Sequence, residues 1–259
     1  MSQPRFEPDL HDRSREAIAS RGIHLSRYGV ALPLARGKRV LDIACGAGYG
    51  VEILASAATR VTGADMAGAA VMAAAERAVA KNVDFVVCDG GHLPFGSSRF
   101  DLVTSFETLE HLEERGRFLR EIRRVLVEEG LLLLSTPNAR HTRPVDGRPR
   151  NPYHVHEYDP GELRRELCRC FGRVELSGQV LDERFRVPPF WDEQERVRAD
   201  PRSRWRVALW RAINKLPYGL ADPLARRLLG QALFPGEADY RFDADVVDSA
   251  PVLFARCRP

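Results

Sequence analysis

The chain has 259 residues, of which 44% are hydrophobic and 29% charged, and its formal net charge at pH 7 is +3. A chain of this length and apolar content can bury one good core together with an appended segment. The nearly balanced charge argues against a nucleic-acid partner, since proteins that bind nucleic acids usually have a marked basic excess.

Two further features of the composition concern the compartment. No run of about 18 apolar residues occurs, and the residues that follow Met1 lack the apolar core of a signal peptide. The five cysteines are odd in number, and several lie in or beside predicted strands, which favours reduced thiols. We therefore expect a cytoplasmic monomer or homodimer without a membrane-spanning segment.

The first predicted element is a helix over about residues 12–32, which we expect to end near Pro33 because proline disrupts the interior of a helix. Residues 1–36 are therefore assigned to an N-terminal helical cap. The Rossmann-like core is expected over residues 37–180, where apolar strands alternate with helical segments.

An apolar strand beginning at Val40 leads directly into the turn Cys45-Gly-Ala-Gly-Tyr-Gly, which opens a helix. Gly46 and Gly48 can adopt backbone conformations that other residues avoid, and a ligand can approach the main chain closely there. This order of elements predicts a site for a nucleotide-like cofactor. The dinucleotide fingerprint G-x-G-x-x-G is not matched, because Val51 stands at its sixth position.

The following elements repeat this order of strand, acidic residue and helix. Asp65 ends the second strand and Asp89 follows the third, while Phe100–Glu107 forms the fourth and residues 131–136 the fifth. Helices are predicted near residues 49–57, 68–81 and 113–127. Near-continuous apolar strands between helices indicate a parallel sheet that is buried on both faces.

A second group of polar residues directly follows the fourth strand, in Glu107-Thr-Leu-Glu110-His111. If a helical turn begins at Glu107, then Glu110 and His111 lie three and four places later and all three side chains project to one side. Two carboxylates and an imidazole are suitable ligands for Mg²⁺, Mn²⁺ or Fe²⁺. The alternative is that the glutamate and histidine hold the loop or supply a simple base.

A sixth strand is predicted over residues 173–177, and a last, antiparallel strand is predicted at the sheet edge near residues 250–259. They enclose an insertion over about residues 181–249. We expect this insertion to be a helical lid that determines the substrate. Trp205, Leu209 and Ile213 recur in it at helical spacing, which predicts an amphipathic helix packed over the active-site mouth. A membrane-surface helix and a stacking platform for single-stranded nucleic acid are the alternatives.

This series of strands, glycine turn and acidic residues resembles the class I S-adenosylmethionine-dependent methyltransferases, of the methyltransferase type 11 kind. The resemblance implies a Rossmann-like α/β fold with a mostly parallel seven-stranded sheet and helices on both faces. At the methionine end of the cofactor it implies backbone and side-chain contacts from four residues, namely Asp42, Ala44, Gly46 and Gly48. In a subset of bacterial members, the segment that corresponds to His24-Leu-Ser-Arg-Tyr28 closes over this end, so that Arg27 pairs with the cofactor carboxylate beside Tyr28.

The resemblance also assigns the adenosine end of the cofactor. Asp65 is expected to accept hydrogen bonds from both ribose hydroxyls, and Met66 is expected to pack on the adenine. Asp89 would accept from the adenine amino group, with Gly90 and Phe106 lining the same pocket.

The Glu-x-x-Glu-His pattern is similar to the metal site of the small-RNA 3′-end 2′-O-methyltransferases and of the ubiquinone-pathway O-methyltransferases. The first of these groups adds a histidine after the fifth strand, for which His154 and His156 are available. We therefore expect Mg²⁺ or Mn²⁺ at Glu107, Glu110, His111 and His156. His154 is then either a further ligand or the catalytic base.

The segments Asn151–Tyr158, Ser135–Asn138 and His24–Tyr28 look like those of bacterial methyltransferases from glycan, glycolipid and glycosylated natural-product pathways. The implied reaction is metal-assisted O-methylation of a hydroxyl on a saccharide or glycosylated small molecule. The alternatives are a metal-free methyltransferase that acts on a phenol, carboxylate or amine, with His111 or His154 as base, and a cofactor-binding regulatory protein without catalysis.

Overall fold

A computed structural model describes residues 15–189, 194 and 202–259 of the chain. These residues form two units. The sheet unit comprises residues 27–180 and 242–259, and the helical unit comprises the described residues within 10–26 and 181–241. The chain thus divides after residues 26, 180 and 241, whereas the sequence places the divisions after residues 36, 180 and 249. The predicted cap over residues 1–36 begins with fourteen residues that lie outside the described range.

One mixed sheet of eight strands organises the fold, in the order β3-β2-β1-β4-β5-β8-β6-β7. The strands are β1 (Arg39–Ile43), β2 (Arg60–Asp65), β3 (Val83–Val87), β4 (Phe100–Phe106), β5 (Leu126–Pro137), β6 (Arg173–Leu181), β7 (Tyr240–Asp243) and β8 (Val252–Arg258). The first five strands pair in parallel. β8 pairs antiparallel with β5 and with β6, and the antiparallel direction agrees with the prediction for the last strand. The expected position at the sheet edge is wrong, because β6 and β7 continue the sheet beyond β8.

The expectation of seven strands is wrong, because β7 adds an eighth. This short strand lies inside the segment 181–249 that we assigned to a helical lid. Its sequence Tyr-Arg-Phe-Asp alternates apolar and polar residues, but four residues are too few for the alternation to be distinctive. The ring of Phe242 contacts that of Phe254 in β8, with ring centroids 4.6 Å apart. Phe242 of this strand therefore packs against a residue that is distant in the sequence.

Eight α-helices lie in the described residues: α1 (Arg15–Ala35), α2 (Tyr49–Ala55), α3 (Gly68–Arg77), α4 (Arg115–Val125), α5 (Ala139–Thr142), α6 (Pro160–Cys168), α7 (Arg204–Ile213) and α8 (Tyr218–Leu229). α1 continues past Pro33, where we expected it to end. Because Pro33 lies in the last turn, its missing N–H costs few of the hydrogen bonds of the helix. None of the described helices is both long and apolar enough to cross a membrane.

The apolar strands of the sheet unit are buried on both faces. Leu41 and Ile43 of β1 belong to one core cluster, together with residues of α4 and α6. Val40, which precedes Leu41 and faces the other side of the sheet, belongs to a second cluster with residues of α2 and the end of α1. Since neighbouring strand residues point to opposite faces, the near-continuous apolar sequence reflects two separate cores. The carboxyl ends of the parallel strands lie together at one edge of the sheet, and the candidate site lies there.

The core of the helical unit joins α7 and α8. Val207, Trp210 and Ile213 are the buried residues of α7, and the Trp210 indole N–H donates to the Leu233 carbonyl at 3.0 Å. The expected stripe is wrong at Trp205, which is 51% exposed, whereas Ile213 is buried and Leu209 packs against this core. Apolar residues occur at two registers of this helix, and the sequence periodicity cannot show which of the two is buried.

Candidate functional site

The glycine-rich turn between β1 and α2 has three residues with positive φ. Ala44 (φ 58°), Gly46 (φ 51°) and Gly48 (φ 81°) alternate with ordinary residues, so the main chain reverses direction within five positions. A Cβ atom on Gly48 would lie 2.8 Å from the Cβ of Ala74 and 3.0 Å from the ring of Phe85. Gly48 is therefore required for close packing of the turn against α3 and β3, in addition to its backbone conformation.

The carboxylate of Asp42 lies wholly inside the sheet unit. It accepts hydrogen bonds from the Tyr28 hydroxyl at 3.1 Å and from the Thr104 hydroxyl at 2.6 Å. Burial raises the pKa of Asp42 to about 7, and the two hydrogen bonds only partly oppose this effect. Asp42 thus holds Tyr28 and the neighbouring strand together beside the glycine turn. A direct contact of its carboxylate with the cofactor remains a prediction.

Space for Tyr28 depends on a glycine that sequence reasoning did not single out. A Cβ atom on Gly50 would lie 2.1 Å from the Tyr28 ring. The Tyr28 ring also packs edge-on against Tyr49 and Phe106, with ring centroids 5.3 Å and 5.1 Å away. Phe106 additionally stacks on Phe254 at 6.0 Å. The structure therefore places Phe106 beside Tyr28, at the end of the site that we assigned to methionine.

Asp65, at the end of β2, connects two backbone segments. Its Oδ2 accepts the Gly46 N–H at 3.0 Å, and its Oδ1 accepts the Ala67 N–H at 2.8 Å. Each carboxylate oxygen thus accepts one of these two main-chain N–H groups, which fixes the orientation of the carboxylate. Met66, which follows Asp65, is 66% exposed. The sequence-predicted ribose and adenine contacts are thus adjacent at the edge of the sheet.

Asp89 and Gly90 follow β3 and differ in environment. The Asp89 carboxylate accepts the Gly91 N–H at 2.8 Å and lies 3.6 Å from the His92 imidazole. The Gly91 backbone bond is the main cause of a lowered pKa for Asp89, which favours its charged form. A Cβ atom on Gly90 would lie 2.7 Å from the Phe118 ring. Packing against α4 is thus a sufficient reason for glycine at position 90.

Arg27 is buried, and its guanidinium contacts groups of the protein. Its Nε donates to Gln179 Oε1 at 2.8 Å, and its Nη1 lies 3.4 Å from Glu107 Oε1. The same Glu107 oxygen accepts the Ser135 hydroxyl at 2.7 Å. The structure therefore pairs Arg27 with Glu107, and the predicted pairing of Arg27 with the cofactor carboxylate stays a prediction.

Glu107 does not lie on the helical turn that we expected to begin there. Its φ is 52°, and the 3₁₀ turn starts only at Leu109 and ends at His111. Glu107 therefore precedes the turn and does not share a helical face with Glu110 and His111. The group of possible metal ligands in the described residues is instead Glu110, His111 and His154, whose ligand atoms all lie within 4.8 Å of one another.

Glu110 is the buried member of this cluster. Its Oε2 accepts the Thr136 hydroxyl at 2.9 Å, whereas its Oε1 is buried without a hydrogen bond. Burial, and then the charge of Glu107, raise the pKa of Glu110 well above its ordinary value. Its main-chain carbonyl accepts the Val155 N–H at 2.7 Å and the His156 N–H at 3.1 Å. These backbone bonds bring the histidine-containing segment 151–158 next to β4.

The two histidines of the cluster are oriented by hydrogen bonds at Nδ1. His111 Nδ1 lies 2.9 Å from the Tyr153 carbonyl, and His154 Nδ1 lies 2.6 Å from Glu157 Oε1. A carbonyl and an ionised carboxylate only accept hydrogen bonds, so we assign the proton of each neutral ring to Nδ1 and the lone pair to Nε2. The rings meet edge-on with centroids 4.9 Å apart. Both imidazoles thus have the tautomer of a metal ligand or a base.

Glu157 is a member of the site that sequence reasoning missed. Burial would raise its pKa, but hydrogen bonds from His154 and from the Thr142 hydroxyl lower the pKa below its ordinary value. Its position three residues after His154 was the available signal. His156, the predicted fourth ligand, points elsewhere, because its Nε2 lies 2.8 Å from Glu162 Oε1. Within the cluster, His154 therefore occupies the place that the sequence assigned to His156.

The chain is similar in sequence and fold to known methyltransferases. Residues 41–134 match the family model described as the methyltransferase domain. A probable S-adenosylmethionine-dependent methyltransferase of Mycobacterium tuberculosis is 35% identical over 164 residues, which cover 63% of this chain and 59% of the relative. The 27-O-demethylrifamycin SV methyltransferase of Amycolatopsis mediterranei is 37% identical over 113 residues, which cover 42% of each chain.

Solved structures share the fold at low sequence identity. An S-adenosylmethionine-dependent methyltransferase from Mesorhizobium loti superposes with a TM-score of 0.55 at 17% identity, over 92% of this chain and 98% of that one. The matched part of our chain spans less than two thirds of the length of the M. tuberculosis relative. The residues that match the methyltransferase family model include the glycine turn and the Glu110–His111 pair.

Proposed function

We propose that this protein is a methyltransferase, which transfers the methyl group of S-adenosylmethionine to a hydroxyl oxygen of a small molecule. The carbon–sulfur bond of the sulfonium breaks, its electron pair returns to sulfur, and the methyl carbon bonds to the acceptor oxygen. The hydroxyl proton leaves to a base or to water, and the products are a methyl ether and S-adenosylhomocysteine. The Glu110–His111–His154 cluster supports the choice of a hydroxyl, because a weakly acidic alcohol needs activation before it attacks.

The cofactor is proposed to lie along the ends of β1, β2 and β3. Asp65 would accept the ribose hydroxyls, while the turn at Ala44 and Gly46 would contact the methionine end. Met66 and Asp89 would contact the adenine. This proposal rests on the hydrogen bonds of Asp65 to Gly46 and Ala67, because they hold the Asp65 carboxylate in a fixed position beside the glycine turn.

A divalent ion, Mg²⁺ or Mn²⁺, fits the cluster. Glu110 Oε1 is a buried carboxylate oxygen without a hydrogen bond, and a buried polar atom of this kind is costly unless a partner satisfies it. His111 adds the lone pair of its Nε2, while the Nε2 of His154, which lies 2.9 Å from Asn151 Nδ2, would exchange that hydrogen bond for the ion. The Nδ1 atom of each ring keeps a hydrogen bond to the protein, as is common for metal-bound histidine. When bound, the ion would lower the pKa of a coordinated hydroxyl. Glu107 and His156 are not part of this proposed ligand set.

We propose further that the acceptor is a saccharide or a glycosylated small molecule. Neighbouring hydroxyls of a sugar can chelate one divalent ion, which would orient one oxygen toward the methyl carbon. The rifamycin relative is named for O-methylation of a natural product, and it is 37% identical over the matched part. This similarity supports a hydroxyl acceptor of natural-product type.

A metal-free reaction is the second candidate, and one observation favours it. His154 Nδ1 lies 2.6 Å from Glu157 Oε1, and the carboxylate would stabilise the imidazolium that forms when Nε2 takes a proton. The acceptor in this case would be a phenol, a carboxylic acid or an amine. These acceptors need less activation than a sugar hydroxyl does.

A calorimetric titration of Mn²⁺ into protein saturated with S-adenosylhomocysteine tests the choice between the two candidates. We expect saturable binding in the wild type, a loss of at least about tenfold in affinity in His111→Ala, and wild-type affinity in the matched control His156→Ala. Methyl transfer to a panel of sugars and phenols, with and without a chelator, tests the reaction itself. Absence of metal binding together with chelator-resistant transfer to phenols would select the metal-free reaction.

A further inference from the structure

The segment 202–229 of the helical unit has an unusual charge. It contains seven basic residues and one acidic residue, although the whole chain has a net charge of only +3. α7 and α8 make up most of the segment, and their buried residues form one core. Five of the basic residues are exposed: Arg202, Arg204, Lys215, Arg226 and Arg227. The segment is therefore strongly basic on its accessible side.

The same segment exposes large apolar side chains. Thirteen large hydrophobic residues are exposed in the described part of the chain, and five of them lie in these 28 residues. The five are Trp205, Leu216, Tyr218, Leu220 and Leu228. Trp205 is 51% exposed and Leu220 is 66% exposed. Clustered apolar residues among charges usually mark an interaction surface, whereas isolated exposed residues do not.

α7 has two apolar faces, and only one of them is buried in the unit. Val207, Trp210 and Ile213 form the buried face. Trp205 and the exposed Ala208 and Ala212 recur at spacings of three and four, which places them on another face of the helix. This arrangement of an apolar face among basic residues is typical of a helix that lies in a membrane interface.

From these observations we propose that the exposed side of residues 202–229, the basic apolar surface, docks on a membrane surface that contains anionic lipids. The basic residues would contact the headgroups, and Trp205 with the exposed leucines would enter the boundary between headgroups and acyl chains. The guanidinium of Arg206 lies 4.8 Å from the centre of the Trp205 ring, so an amphipathic indole and a cation are presented together.

The charge of this surface would complement either anionic lipid or nucleic acid, and its exposed aliphatic side chains favour anionic lipid. Nucleic acids attract basic residues as well, but they use aromatic rings for stacking and gain little from exposed aliphatic chains. Leu216, Leu220 and Leu228 are aliphatic and exposed. Burial of aliphatic side chains in the acyl region stabilises membrane binding in proportion to the buried area. Peripheral docking is separate from the proposed methyl transfer, and it can hold or fail independently of it.

Sedimentation with lipid vesicles measures this binding in the absence of cofactor and acceptor. We expect the full chain to bind vesicles of phosphatidylcholine with 30% phosphatidylserine, and to bind vesicles of pure phosphatidylcholine much more weakly. Binding should decrease in 0.5 M salt, because salt screens the charge attraction. Trp205 fluorescence should shift to shorter wavelength with anionic vesicles, and this shift should be absent in Trp205→Phe.

Variants separate the charge and apolar contributions. Arg204→Gln/Lys215→Gln removes two exposed charges, and at about fivefold per charge we expect affinity to fall by about 25-fold. The matched control is Arg36→Gln/Arg99→Gln, which removes two exposed arginines of the sheet unit and should leave affinity unchanged. Leu220→Ala should weaken binding while the variant keeps the wild-type melting temperature, because Leu220 lies outside the core.

Three results would overturn the proposal. The first is an equal affinity for anionic and neutral vesicles, or no affinity for either. The second is binding to single-stranded oligonucleotides, but not to vesicles, that the Arg204→Gln/Lys215→Gln variant loses. The third is self-association without vesicle binding, measured by sedimentation equilibrium and abolished in Trp205→Ala, which would assign the surface to a second copy of the chain.

Discussion

The Tyr28 hydroxyl donates a hydrogen bond to the buried Asp42 carboxylate at 3.1 Å, and so joins α1 to the first strand beside the glycine turn. Thr104 of the neighbouring strand donates to the same carboxylate at 2.6 Å. An ionised carboxylate in this position has lost its hydration, and two hydroxyl donors replace only part of it. The protonation state of Asp42 is therefore coupled to the stability of the sheet unit.

This coupling predicts a specific dependence of stability on pH. The pKa of Asp42 rises from an ordinary value of 3.8 to about 7 in the folded protein. Between these two values the folded state keeps a proton that the unfolded state has lost, so the contribution of Asp42 to stability falls as pH increases from about 4 to 7. The full difference amounts to about 4 kcal/mol at most.

Asp42→Asn should remove this dependence, because a neutral amide oxygen still accepts from Tyr28 and Thr104. We expect the variant to be more stable than the wild type in urea unfolding at pH 5, and by a larger margin at pH 8, because only part of the wild-type loss has occurred at pH 5. Asp101→Asn is the matched control, since Asp101 is ionised and paired with Arg39 at 3.0 Å. A constant difference between Asp42→Asn and wild type from pH 5 to 8 would contradict the assignment.

Gly50→Ala should destabilise the protein, because the added methyl group would overlap the Tyr28 ring. Overpacking of this kind typically costs about 1–3 kcal/mol in the free energy of unfolding. Gly29→Ala is the matched control: Gly29 lies in α1 with no atom within 4 Å of its added Cβ, so alanine should stabilise by about 0.5–1 kcal/mol. If Gly50→Ala destabilises the Tyr28→Ala variant as much as it destabilises the wild type, the overlap with Tyr28 is not the cause.

The alternation of apolar strands with helices was sufficient to predict the methyltransferase-like core. Residues such as Leu41 and Leu132 lie in strands that are buried on both faces, so hydrophobicity alone locates them. The strand β7 was missed because only four residues pair, and the contact of Phe242 with Phe254 that holds it joins positions far apart in the sequence. Long periodic elements are thus predictable, and short edge strands depend on tertiary contacts.

The candidate site shows the same limit at single residues. The sequence indicated that Glu110 and His111 act together, since they are neighbours that follow a predicted strand. It could not show that Glu107 has a positive φ and precedes the turn, nor which of His154 and His156 joins the cluster. The backbone bonds from Val155 and His156 to Glu110 decide the second point, and they form only when distant segments meet.

Glu157→Gln should weaken the function of the cluster without removing a direct ligand. The glutamine oxygen still accepts a hydrogen bond from His154 Nδ1, but the negative charge of the Glu157 carboxylate is lost. The His154 imidazole therefore becomes a poorer ligand or base. We expect Mn²⁺ affinity to fall about 10–100-fold, with a similar fall in kcat. Glu162→Gln is the matched control, because it makes the same change beside His156. Equal losses in the two variants would show that the pairing of Glu157 with His154 has no special role.

Asp65→Asn should lower the affinity for S-adenosylhomocysteine. The amide has only one oxygen, so either the Gly46 N–H or the Ala67 N–H loses its hydrogen-bond acceptor. The ribose hydroxyls would also lose a charged acceptor, the carboxylate. A hydrogen bond to a charged group contributes about 1.5–3 kcal/mol, which corresponds to a loss of about 10–150-fold in a calorimetric titration. Asp84→Asn is the matched control on the next strand, where the exposed carboxylate pairs with Arg60 at 2.7 Å. If both variants bind with wild-type affinity while Asp65→Asn melts at a lower temperature, Asp65 supports the glycine turn and does not contact the cofactor.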